Sequence, residues 1–146
     1  MQLSKNLSLA EACATDSHFN NEPGKLEIEN LKMVAEKVFQ RCRDYFGKPL
    51  KVNSGYRSLA VNKDVKGDKK SQHLKGQALD LTFGNRADNK KLFEYIRKNL
   101  IFDQVIYEGG NDEGPDWVHV SYNSALNRRS VMKMVKVAGE STYKNL

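Results

Sequence analysis

The sequence predicts an α+β fold: a single domain in which a mainly antiparallel sheet carries helices packed on one face. Three observations lead there. Leu31, Val34, Ala35, Val38, Phe39, Cys42, Tyr45 and Phe46 recur at helical spacing. Short segments such as Leu50–Asn53 and Ala78–Phe83 alternate instead, as strands do. The two patterns mix without a regular β-α-β alternation, which argues against a doubly wound parallel sheet.

Taken in order, Ser8 with Glu11 three residues on forms a capping-box pattern for a short helix over Leu9–Cys13. Thr15–Asn21 is polar and reads as a loop, with His18 in it as a solvent-facing residue. Glu22-Pro23-Gly24 leads into the long helix, which Gly47 stops and Pro49 confirms. Leu50–Asn53 is a strand, ending in Ser54-Gly55-Tyr56-Arg57-Ser58. Ser58 caps a short helix through Ala60, Val61 and Val65. Lys66–Lys70 is a charged loop around Gly67. Ala78–Phe83 is a strand with Asp80 on one face and Leu79, Leu81 and Phe83 on the other. Asn85–Asn99 is a helix burying Leu92, Phe93, Ile96 and Leu100. Phe102–Tyr107 and Trp117–Tyr122 are strands joined by the turn Gly109–Pro115. In the second, Trp117, His119 and Ser121 share a face. Ser130–Val137 is the last strand, leaving 138–146 as a frayed tail and a core of about 5–138.

The chain has 146 residues, a net charge of +6 and two cysteines. No apolar run approaches the roughly 20 residues that span a bilayer. The N-terminus lacks an apolar leader, so synthesis in the cytoplasm is expected, with no membrane insertion and a monomeric state. The basic residues are scattered and carry no nucleic-acid-binding signature, so no nucleic-acid partner is expected and the charge reads as a generally solvated basic surface, compatible with an anionic cell envelope. Cys13 and Cys42 are expected as reduced core thiols.

The chemistry concentrates in Ser71–Asp80 and in Asp116–His119. His73, Asp80 and His119 are nitrogen and oxygen donors of the kind that leaves zinc an open position. Two strands and one loop can present them to a single point, and Gly76 allows the loop to turn tightly. A hydrolase also needs a base and a group for the oxyanion. Asp116 is a candidate base, with Glu108, Asp112 and Glu113 nearby. Arg57 is a candidate cation, suited to bidentate contact with oxygen.

Ser71-x-His73-x-x-Gly76-x-Ala78-x-Asp80 resembles the SxHxxGxAxD signature of the M15 zinc peptidases: D-Ala-D-Ala carboxypeptidases, D-Ala-D-Ala dipeptidases and phage L-alanyl-D-glutamate endopeptidases. Ser54-Gly55-Tyr56-Arg57-Ser58 is similar to the family's SGYRS segment, and Asp116-Trp117-Val118-His119 to its acid-x-x-His element. Phe102–Glu108, Asn30-Leu31-Lys32 and Gly47-Lys48-Pro49-Leu50 agree as well, so the resemblance covers about residues 5–138. It implies the hedgehog/DD-peptidase fold and one zinc ion held by His73, Asp80 and His119. It further implies Asp116 as catalytic base and acid, Arg57 at the scissile carbonyl, and Ser71 and Gln104 as pocket or supporting residues. The implied substrate is a peptidoglycan stem peptide. The absent leader favours a phage-type endolysin, released through a holin, over a wall-resident carboxypeptidase. A zinc-containing module of the same fold that binds the wall without cutting it is the alternative.

Overall fold

The computed structural model describes all 146 residues. Its local structure follows from the caps. Ser8 Oγ accepts from the Glu11 amide while Glu11 accepts from the Ser8 amide, closing the capping box of α1 (Leu9–Ala12). α2 (Lys25–Val34) runs through a π turn (Ala35–Phe39) into α3 (Gln40–Phe46). Gly47 ends that rod in the left-handed region, at φ +65°. Leu31, Val34, Ala35, Val38, Phe39 and Cys42 are fully buried along it. Tyr45 departs from the expected stripe: it is exposed at the rim and stacks on Tyr95 at 4.1 Å. The wider π turn rotates the last turns of the rod away from a strict 3.6-residue repeat. Ser58 caps α4 (Leu59–Asp64), and Asn85 caps α5 (Arg86–Asn99).

The main sheet contains β3 (Lys51–Ser54), β4 (Ala78–Thr82), β5 (Gln104–Glu108), β6 (Trp117–Ser121), β7 (Ser130–Val137) and β8 (Glu140–Asn145). Their spatial order is β3-β4-β6-β5-β7-β8. All neighbours are antiparallel except β5 and β7, which run parallel. Leu79, Leu81, Val105, Tyr107, Val118 and Val120 join the helices' Leu31, Phe39, Leu92, Phe93 and Ile96 in one core. Alternation sends Asp80, Ile106, Glu108 and His119 to the other face.

Both chain ends differ from expectation. Gln2–Ser4 (β1) and Leu7–Ser8 (β2) pair as a small hairpin that buries Leu3 and Leu7. The expected tail 138–146 is mostly strand β8, paired with β7 from Val137↔Glu140 to Met132↔Asn145. The turn is the two residues Ala138 and Gly139, at φ +53° and +82°. This positive-φ pair suits a tight antiparallel hairpin, but alanine in its first position conceals the usual Asn-Gly or Asp-Gly signal. Both cysteines are free, as expected; burial raises the Cys13 thiol to about 11 and pushes Cys42 higher still.

Candidate metal centre

The centre is built on one cross-strand row. Ser54, Asp80, His119 and Ile106 are successive partners across β3, β4, β6 and β5. His73 enters from the 3-10 turn Gln72–Lys75, which immediately precedes β4. Ser71 caps that turn, its Oγ accepting from the His73 amide at 3.2 Å. Gly76 ends it at φ +71°, where a Cβ would lie 2.5 Å from the Glu27 carbonyl oxygen of α2. Gly76 therefore turns the chain and also lets the loop lie against a helix backbone.

The ligand atoms of His73, Asp80 and His119 all lie within 4.8 Å of one another. Asp80 Oδ1 is 3.3 Å from His73 Nε2 and 3.1 Å from His119 Nδ1. A tetrahedral ion with bonds of about 2.0–2.1 Å needs donors roughly 3.3 Å apart, so this spacing fits one ion. The three side chains are only 4%, 11% and 11% exposed. His73 Nδ1 faces the Gly55 carbonyl at 2.6 Å. A carbonyl only accepts, so Nδ1 carries a proton, and Nε2 is the nitrogen whose lone pair would serve a metal ion. Burial alone would raise Asp80's pKa, but without a metal the imidazolium forms of His73 and His119, charged and donating to it, hold its carboxyl well below the usual range. It is therefore an anionic donor.

Arg57 lies beside this group. Its Nε donates to Ser54 Oγ at 2.9 Å, while its Nη atoms reach Asn62 and Asp80 Oδ2 only at 3.4 Å. The stem is anchored and the charged end is loosely held. Gln104 shares the face, but its amide is directed to the Met132 sulfur at 3.1 Å. Gln72, next to His73, donates to buried Asp103, which also holds Arg128. That clamp ties the ligand loop to the start of β5.

Asp116 is placed differently from the expected base. It precedes Trp117, which faces the site, so Asp116 points to the helix side. There Oδ1 accepts from Arg86 at 3.0 Å and Oδ2 from the Gly110 amide at 3.1 Å. Glu108 occupies the site face instead. It pairs with Trp117, one step diagonal to the Ile106↔His119 pair. Such diagonal neighbours lie roughly 7 Å apart, within reach of a long side chain. Glu108 is 6% exposed. Burial raises its carboxyl to about 7 against the pull of His119, with Asp80 adding to the rise and Arg57 opposing it. The signal was present in Gln104-Val105-Ile106-Tyr107-Glu108, where alternation puts Glu108 opposite the core residues Val105 and Tyr107.

Residues 3–121, most of the chain, match the Peptidase M15 family. The chain belongs to the peptidase M15 family. It is thus a peptidase by family, with a His-Asp-His group able to hold a metal ion. Comparison with curated proteins finds no match. The M15 match stops at the end of β6, so β7 and β8 lie outside it.

Proposed function

We propose that this M15 peptidase is zinc-dependent and hydrolyses peptide bonds in peptidoglycan stem peptides, in the manner of a wall-lytic endolysin-type or carboxypeptidase enzyme. The observation that carries this reading is the convergence of His73 and His119 on one oxygen of Asp80, with Glu108 on the same sheet face. Zinc, when bound, supplies a Lewis acid that polarises the scissile carbonyl and acidifies water.

The chain's own groups do the rest. His73, Asp80 and His119 would hold the ion. The Gly55 carbonyl fixes the His73 tautomer. Glu108 accepts the proton of the attacking water and returns it to the leaving amine, a task suited to a buried carboxylate on the same sheet face as the ligands. The loosely held guanidinium of Arg57 stabilises the oxyanion. Asp116, already paired with Arg86, supports the β5–β6 turn.

Digestion of purified sacculi followed by mass analysis tests the reading. Released D-Ala marks a carboxypeptidase, and cleavage beside D-Glu marks an endopeptidase. Chelation, or His73→Ala, is expected to abolish either activity. Full cleavage by chelated protein would overturn the zinc assignment.

A further inference from the structure

The site face does not end where the family match ends. Across the sheet, Trp117, Glu108, Met134 and Tyr143 are successive partners on β6, β5, β7 and β8. Tyr143 therefore stands on the same face as Glu108, two strands away, or roughly 10 Å between strand axes. Its ring is 49% exposed on an edge strand. Burial raises its hydroxyl pKa, and the charges of Glu108, Asp80 and Asp68 add to that rise. Tyr107, by contrast, spends its hydroxyl on the Asn111 carbonyl inside the protein.

Beside this row, β7 continues past the end of β5 and opens a cleft of about 550 Å³. Trp117, Met134, Lys133 and Lys136 line it, with Asp116 at its edge. Asp116 is already neutralised by Arg86. The cleft thus offers apolar surface with an excess of positive charge, and both cross-strand partners of Glu108, Trp117 and Met134, are in its lining. An acidic peptide suits it: backbone and small side chains against Trp117 and Met134, a carboxylate at lysine.

We propose that the hairpin β7–β8 is the substrate-binding wall of this centre, with Tyr143 contacting an acidic peptide over the site and Lys136 receiving one of its carboxylates. The inference rests on the peptidase reading above. Both residues lie outside the metal group, so they act on substrate binding.

The test is steady-state kinetics of the full chain with Tyr143→Ala, Tyr143→Phe and Lys136→Met, on a stem peptide and on its carboxyl-amidated form. Both sites are on exposed strand positions, and unfolding midpoints check the fold. Tyr143→Ala is expected to raise KM roughly tenfold with kcat within about twofold, the scale of one lost ring contact. Tyr143→Phe falls between. Lys136→Met raises KM for the acidic peptide and leaves the amidated one unchanged. KM values unchanged in both Tyr143→Ala and Lys136→Met overturn the proposal while leaving the peptidase reading standing. A wild-type protein that cleaves no peptide overturns that reading instead. Titration of chelated protein with the acidic peptide then decides the hairpin separately: shifted Tyr143 NMR resonances support it, and unshifted ones overturn it.

Discussion

The Gly55 carbonyl accepts the Nδ1 proton of His73 at 2.6 Å, and a Cβ on Gly55 would stand 2.1 Å from the Ala12 carbonyl oxygen. The tautomer of His73 is thus set by a peptide group pressed against the end of α1. The Tyr56 amide bonds the same Ala12 oxygen at 2.8 Å, fixing that contact.

Gly55→Ala is expected to push this peptide out of line and lower metal affinity by about 10–100-fold, as losing the partner of a ligand histidine does. Competition with a chromophoric chelator measures it. Unchanged affinity in a folded variant would show that the tautomer does not depend on Gly55.

Glu108→Gln is expected to lower kcat by roughly 10²–10⁴-fold with metal content unchanged. Asp116→Asn, which loses only a half-exposed pair with Arg86, is expected to change stability by about 1 kcal/mol or less and kcat by about twofold or less. The reverse ranking would return the proton-transfer role to Asp116.

Glu108 also predicts a pH dependence for metal-stripped protein. Its folded pKa of about 7 lies above the ordinary 4.5, so between these values the unfolded chain has released a proton that the folded one keeps. Stability therefore falls as pH rises from 4.5 to 7, by something on the order of 3 kcal/mol, and then levels. Denaturant midpoints of the wild type minus those of Glu108→Gln isolate the slope. Asp80 acts oppositely: its depressed pKa gives stability present above its ordinary pKa and lost in stronger acid. A bound cation pulls Glu108 down, so metal is expected to shift its carboxyl NMR titration to lower pH.

Gly76→Ala meets both a left-handed backbone and the Glu27 carbonyl. A loss of about 1–3 kcal/mol is expected from the strain, read from the urea midpoint. A midpoint equal to wild type would mean the loop relaxes freely.

What was legible in the sequence followed from local rules. Ser8, Ser58 and Gly47 are caps whose chemistry lies within four residues of the helix end, and each caps where expected. The His-Asp-His grouping was legible because one signature spaces two of its members. Glu108 was obscured because its relation to His119 is a cross-strand register, set by β5–β6 pairing and not by any local interval. Yet the face shared by Trp117 and His119 already turned Asp116 away. Strands β1 and β8 escaped notice for a similar reason: β1 is three residues long, and the β7–β8 turn uses an alanine.

The placement of β6 between β4 and β5 has a consequence for how the protein matures. Both neighbours precede β6 in the chain, so each keeps an unpaired edge until residues 117–121 arrive to fill the gap. His119 travels on that last-inserted central strand, and Asp80 waits across a 39-residue separation. Capture of an ion by this group would therefore be tied to the closing of the sheet: a ribosome-bound chain that ends before β6 has two of the three candidate ligands and an open seam.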